Sequence, residues 1–84
     1  MDPSLDILGR RIRARRRELG MTQEGLAHEA GVDRSYVGRV ERGENNLTML
    51  ALVRLCKAMK CDVAALTQGI PAGQKTKLQR SELR

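Results

Sequence analysis

Aromatic side chains are almost absent from this 84-residue chain, which has one tyrosine, Tyr36, and neither tryptophan nor phenylalanine. A core must therefore be built from aliphatic residues and methionine, in a single domain near the lower size limit for such a core. The composition favours a helical bundle, because leucine, alanine, methionine and arginine are good helix formers. No sustained two-residue alternation and no Asn-Gly or Asp-Gly turn indicates strands.

Histidine and cysteine are also scarce, with one His and two Cys in the whole chain. Cys56 and Cys61 are too few and badly spaced for a zinc site, so we expect no metal and no other cofactor. They are expected to be reduced thiols of a cytoplasmic protein, with Cys56 filling space in the core. The chain has no Ser/His/Asp or Cys/His set, glycine-rich phosphate loop or carboxylate pair at workable spacing, which predicts that it is not an enzyme.

The chain also has no long apolar run, and its positive charges outnumber its negative charges. No run approaches the ~18 apolar residues that span a membrane, and the N-terminus lacks the apolar segment of a signal peptide, so we expect a cytoplasmic protein without membrane contact. Sixteen Lys and Arg against ten Asp and Glu give a formal charge of +6. This excess indicates a polyanionic partner, DNA or RNA before a membrane surface; the alternative is that the charge serves solubility alone.

Helix start and stop signals divide the chain into five predicted helices. They cover about Ser4–Leu19, Gln23–Ala30, Arg34–Arg42, Met49–Lys60 and Val63–Leu66. Residues 1–69 are predicted to form one domain, and residues 70–84 a flexible basic tail. One face of the first helix should be buried, with Arg15 or Arg16 filling the gap between its apolar positions Leu5, Leu8, Ile12 and Leu19.

The stretch 22–42 reads as two short helices joined by a tight turn. Thr22 is a natural N-cap, and Gly31 can take the left-handed conformation that ends a helix abruptly. In the second helix, Val37 and Val40 form an apolar pair at i, i+3. We therefore expect four residues to point to solvent or a ligand: Arg34, Ser35, Gly38 and Arg39. Such a pair of helices is a helix-turn-helix, whose second helix suits the DNA major groove.

Reading base edges requires polar side chains at the exposed start of that second helix. Arg34 and Arg39 can each donate two parallel hydrogen bonds to a guanine, and Ser35 is short enough to let the helix approach closely. Tyr36 can stack on a sugar, touch a thymine methyl or donate to a phosphate. The alternative for each is an ordinary solvated side chain, or for Tyr36 packing against its own helix.

The same residues carry a family resemblance. The run TQEGLAHEAGV, followed by Ser35, Tyr36, Val37 and then VERG, resembles the Cro/lambda-repressor-like regulators of bacteria and phages, over about residues 8–66. Within that family, DRSYVGRVERGENNLT is most similar to the controller proteins of restriction–modification systems. The resemblance implies an all-α, compact five-helix lambda-repressor-like domain, and in controller proteins an Arg-Thr/Ser-Tyr trio lies at the reading surface.

The resemblance also assigns roles to single residues. It implies an ion pair between Arg16 and Glu41 that ties the first helix to the end of the recognition helix; the alternative is that Arg16 extends to solvent. It implies that Gln23, at the start of the second helix, binds a phosphate. Gly38 and Arg39 depart from the pattern, since the family usually has a serine at the first position and controller proteins often have a small residue at the second.

Further phosphate ligands are expected around the fourth helix. Asn45, Asn46 and Thr48 lie at its N-terminus, where free backbone N–H groups and the helix dipole favour an anion. Arg42 is a further candidate. These residues would position the duplex without reading its sequence.

A two-fold dimer is predicted, because one recognition helix reads only a few base pairs. Two such helices ~34 Å apart would read a near-palindromic operator in double-stranded DNA. The homodimer contact is expected on the fourth and fifth helices, where apolar residues exceed what a monomer needs. The candidates, which the sequence does not divide between core and interface, are Leu50, Val53, Val63, Leu66 and Ile70.

Three functions fit these observations. The leading one is a sequence-specific transcriptional regulator, with a restriction–modification controller as its most specific form. An antitoxin that masks a toxin and represses its own promoter is the second, although only the last fifteen residues could grip a toxin. A protein–protein adaptor without DNA is the third, and the exposed positions predicted for Arg34 and Arg39 argue against it.

Overall fold

Helices make up most of residues 3–70, the part of the chain that this computed structural model describes. This part contains no strand, which confirms the all-α prediction, and each helix begins and ends within two residues of its predicted bounds. No helix in this part is long and apolar enough to cross a membrane. The helices are α1 (Pro3–Glu18), α2 (Gln23–Ala30), α3 (Arg34–Glu41), α4 (Met49–Ala58) and α5 (Val63–Thr67).

The same turn ends the first four helices. In each, a residue in the left-handed conformation donates to the carbonyl three residues back, and the next N–H donates to the carbonyl five residues back. This is the Schellman motif. Gly20, Gly31 and Gly43 hold the left-handed position after α1, α2 and α3. After α4 it is held by Lys60 (φ 54°), the one non-glycine residue with positive φ among those described.

Leu19 is not on the buried face of α1, as the sequence predicts, but is 39% exposed. Because the left-handed Gly20 ends the helix at Glu18, Leu19 lies beyond the helical register. Met21 packs against the core in its place. The gap between the apolar positions of α1 is filled by Arg16, which is buried, and not by Arg15.

The core is aliphatic, and every helix contributes to it. Leu66, a predicted interface candidate, is only 6% exposed and belongs to this core, as does Cys56, the predicted core filler. Ile70 is half-buried against it, and the rest of the predicted basic tail lies outside the described residues. The buried apolar side chains are Leu8, Ile12, Leu26, Ala27, Ala30, Val37, Val40, Leu52, Leu55, Cys56, Met59 and Leu66.

Two glycines let α1 lie directly against the end of α3. A Cβ on Gly9 would be 2.4 Å from the carbonyl oxygen of Val40 and 2.7 Å from that of Glu41, closer than real Cβ atoms approach. A Cβ on Gly43 would be 3.0 Å from the Cα of Asp6. Backbone contact therefore sets the distance between the two helices, and only glycine fits at the first of these positions.

Two arginines of α1 bind backbone carbonyls at the C-terminal ends of α4 and α5. Arg11 donates through Nη1 to the carbonyls of Leu66, at 2.9 Å, and Gln68. Arg15 donates through Nε to the carbonyl of Met59 at 3.0 Å. These carbonyls end α5 and α4, where the helix itself supplies no donor and a cation is favoured. Part of the arginine excess of α1 is therefore structural.

Candidate nucleic-acid interface

The helix-turn-helix is formed by α2, the turn at Gly31 and α3. The hydroxyl of Thr22 accepts from the N–H of Gly25 at 2.9 Å, so Thr22 caps α2 as predicted. Gly31, at φ 71°, donates to the carbonyl of His28 and turns the chain towards α3. Asp33 stands at the N-cap position of α3, but its side chain makes no capping hydrogen bond. The first turn of α3 therefore keeps free backbone N–H groups.

The recognition helix, α3, has one buried and one open face. Val37 is completely buried and Val40 is 2% exposed, as their i, i+3 spacing predicts. Arg34 at the first position and Arg39 in the last turn are both exposed. Two guanidinium groups are thus presented to solvent by a helix whose other side is fixed in the core.

The other two predicted base-reading residues are more constrained. Tyr36 is half-buried and packs against the core. Ser35 is exposed, and its hydroxyl donates to the carboxylate of Asp33. Since that bond uses its hydrogen, Ser35 is set up to accept from a base amino group, such as that of cytosine or adenine.

A buried ion pair holds the C-terminal end of α3 in place. Arg16 Nε donates to Glu41 Oε2 at 2.6 Å and Nη2 donates to Oε1 at 3.0 Å, with both side chains under 10% exposed. The hydrogen bond to Glu41 raises the pKa of Arg16. Arg16 also donates to the carbonyl of Met21 at 2.8 Å, so α1, the turn before α2 and α3 are joined. The pair that the family resemblance implies is present in the structure.

Gln23 extends this network to the start of α2. Its Nε2 donates to Glu41 Oε1 at 3.0 Å, which uses one of its two amide hydrogens. A Cβ placed on Gly38 would be 3.7 Å from Gln23 Oε1 and 3.4 Å from Arg42 Nη1. The ends of the two predicted phosphate ligands, Gln23 and Arg42, therefore both lie close to Gly38 of α3.

The loop from α3 to α4 carries the other predicted phosphate ligands. Thr48 accepts from the N–H of Ala51 at 3.0 Å and caps α4, and its hydroxyl hydrogen remains able to donate. Asn46 is exposed and Asn45 half-buried. At the start of the loop, Arg42 Nε donates to Glu44 Oε2 at 3.0 Å, and this contact raises the pKa of Arg42 and lowers that of Glu44.

The predicted dimer candidates differ in exposure. Leu50 is 60% exposed, Val53 and Val63 are half-buried, and Leu66 is core. Met49, which is not among the predicted candidates, is 68% exposed beside Leu50. The start of α4 thus presents two large apolar side chains to solvent.

Two other features were missed from the sequence. Gly9 could have been noticed as a glycine inside a run of good helix formers, but its contact with Val40 is remote in sequence. No local signal separates Arg11 and Arg15, which hold helix ends, from the exposed Arg13 and Arg17. Within residues 3–70, no three His, Cys, Asp or Glu side chains lie together as a metal site would require.

The chain resembles known proteins throughout this region. The helix-turn-helix family matches residues 12–66. The control protein C.SmaI of Serratia marcescens is 39% identical over 61 residues, which cover 73% of each chain. The crystal structure of the restriction–modification controller protein C.AhdI from Aeromonas hydrophila is 40% identical, with a TM-score of 0.73 over 74% of this chain and 94% of that one. The controller protein C.Esp1396I, solved as a tetramer on its natural 35-base-pair operator, is 27% identical with a TM-score of 0.75, over the full length of both chains.

The fold, the open face of α3 and these matches together define the class of protein. It is a DNA-binding transcriptional regulator of the helix-turn-helix type, and the chain belongs to the Cro/lambda-repressor-like helix-turn-helix family. Two of the similar solved structures, C.AhdI and C.Esp1396I, are restriction–modification controller proteins.

Proposed function

We propose that this chain binds a near-palindromic operator as a homodimer and acts as a controller of a restriction–modification operon. The observation that carries the proposal is the presentation of Arg34 and Arg39 to solvent on a helix whose opposite side is buried. Each can make a bidentate contact with guanine, worth roughly 1–3 kcal/mol of discrimination. Ser35 and Tyr36 complete the base-reading set.

Phosphate contacts would set the register of this helix in the groove. The ends of the Gln23 and Arg42 side chains lie beside Gly38 of α3, and Asn45, Asn46 and Thr48 follow in the loop. The positive end of α4 supports the last three. The ion pair between Arg16 and Glu41 positions Gln23 through Glu41 and is not itself a DNA contact.

Dimerisation would use apolar side chains that the bundle leaves fully or partly exposed. Leu50, Val53, Val63 and Ile70 remain candidates once Leu66 is assigned to the core. Controller function is supported by the similarity to C.SmaI and C.AhdI. A neighbouring gene pair for a nuclease and a methyltransferase would agree with it, and a small toxin gene would favour an antitoxin instead.

Selection of bound sequences from random duplexes tests the proposal. We expect two inverted half-sites with centres about one DNA turn apart. Arg39→Ala should relax the preference at one position of each half-site, and Arg13→Ala, which removes an exposed arginine of α1, should leave the motif unchanged. A single unpaired half-site would contradict the dimer, and a motif that survives the loss of both Arg34 and Arg39 would contradict the reading helix.

A further inference from the structure

The turn that ends α4 brings the two cysteines of the chain together. In a Schellman motif, the residue after the left-handed position contacts the residue five places earlier. At this turn those residues are Cys61 and Cys56, and the N–H of Cys61 donates to the carbonyl of Cys56 at 3.0 Å. Both cysteines are free thiols. The corresponding pairs after α1, α2 and α3 are Arg16 and Met21, Ala27 and Val32, and Arg39 and Glu44.

Both thiols line an open cavity of about 580 Å³. Arg15, Lys57 and Lys60 line it as well, and Asp62 is the one carboxylate that residues 3–70 contribute to its lining. The surroundings of the thiols are therefore positively charged, which raises the local concentration of small anions. None of these residues belongs to the proposed DNA interface.

We propose that Cys61 and Cys56 form a thiol-exchange site for small anionic disulfides. The thiolate of Cys61 attacks one sulfur of the small disulfide, forms a mixed disulfide and expels the first small thiolate. Cys56 then loses its proton to solvent and attacks the sulfur of Cys61, which expels the second thiolate and closes a Cys56–Cys61 disulfide. In total, two protein thiols are oxidised and one small disulfide is reduced to two thiols.

The order of the two attacks follows from access. Cys61 is half-buried and can be reached from the cavity, whereas Cys56 is only 2% exposed. Burial raises the pKa of the Cys56 thiol to about 11, with smaller contributions from Cys61 and Asp62. Cys56 therefore stays protonated near neutral pH and acts as the second, resolving thiol.

Peptide mapping of the full chain after treatment with oxidised glutathione tests the site. Trypsin cuts after Lys57 and Lys60, between the two cysteines, so the expected product is peptides 55–57 and 61–75 joined by a disulfide that reduction separates. In Cys56→Ala the reaction should stop at a mixed disulfide on Cys61, and Cys61→Ser should form no adduct. The joined peptides are obtained from the wild-type protein, so this result does not depend on whether either variant folds. Separate peptides, or a lasting glutathione adduct on wild-type Cys61, would overturn the proposal.

A comparison of disulfides of opposite charge tests the role of the cavity. The native protein should react several-fold faster with anionic oxidised glutathione than with cationic cystamine. Lys57→Gln should reduce that ratio, and unfolding in denaturant should remove it. Equal rates with the two disulfides in the native protein would show that the cavity does not select its reactant and would count against the site.

Discussion

Within the described part of the chain, Arg16 and Glu41 are the charged residues in an otherwise aliphatic interior. Arg16 donates to Glu41 and to the carbonyl of Met21, and Glu41 also accepts from Gln23. No buried side-chain polar atom in the described residues therefore lacks a hydrogen-bond partner. A pair of this kind adds little net stability compared with apolar residues of the same size. Removal of one partner is different, because the other charge is then buried alone.

Removal of the Glu41 charge alone should destabilise the fold strongly. Glu41→Gln should lower the free energy of unfolding by roughly 3–5 kcal/mol, since it leaves the Arg16 guanidinium buried without a counter-charge. The change is measured by urea denaturation at neutral pH. Glu44→Gln is the matched control, because it removes the same group from a pair of similar length, 3.0 Å, whose side chains are about half exposed. If both variants unfold at the same urea concentration, the buried pair has no special role.

Glycine has opposite effects on stability at two buried positions within helices. Gly9 in α1 and Gly38 in α3 both lie inside helices, where glycine costs up to ~1 kcal/mol relative to alanine. At Gly9 the carbonyls of Val40 and Glu41 fill the space that a Cβ needs. At Gly38 the nearest atoms are the ends of two long side chains, those of Arg42 and Gln23, at ordinary contact distances.

Alanine substitutions should therefore change stability in opposite directions. Gly9→Ala should destabilise the domain by about 3 kcal/mol, because α1 must move away from the end of α3. Gly38→Ala should stabilise it by roughly 0.5–1 kcal/mol through the lower entropy of the unfolded chain. Both are read from the urea midpoint, and an unchanged midpoint for Gly9→Ala would mean that the two helices do not approach as closely as described.

These glycines also show what a sequence reveals about the helices and what it does not. Helix bounds depend on neighbouring residues, so Thr22, Gly20 and Gly31 predict them almost to the residue. The two faces of α3 follow from the spacing of Val37 and Val40. The contact of Gly9 depends on where α3 lies in space, which no local pattern encodes.

In the candidate site too, some features follow from the local sequence and others depend on long-range contacts. The exposure of Arg34 and Arg39 follows from helical periodicity, and the partner of Arg16 was identified only through the family resemblance. The carbonyl contacts of Arg11 and Arg15 and the link between Gln23 and Glu41 are long-range. Charge counting treats all arginines of α1 alike, although three of them are structural.

Two kinds of charge effect contribute to DNA binding by the domain. The formal charge of +6 attracts any polyanion at long range, whereas a phosphate contact depends on one side chain at one place. Glu44 and Glu18 allow the comparison. Each pairs with an arginine at 3.0–3.1 Å, Glu44 with Arg42 beside α3 and Glu18 with Arg15 at the end of α1. Glutamine at either position raises the net charge by one unit.

If the proposed interface is correct, only one of the two substitutions strengthens operator binding appreciably. Glu44→Gln releases Arg42 to bind a phosphate. One added phosphate contact makes the slope of log K, the DNA association constant, against log salt concentration steeper by about 0.9. The affinity at 0.1 M salt should therefore rise by up to roughly tenfold. Glu18→Gln should change affinity much less, because exposed charges beyond about 10 Å are largely screened at that salt concentration. Fluorescence anisotropy over a salt series measures both affinities and the slope. Equal gains from the two variants would mean that net charge, and not the edge of α3 at Arg42, determines how this domain holds the DNA backbone.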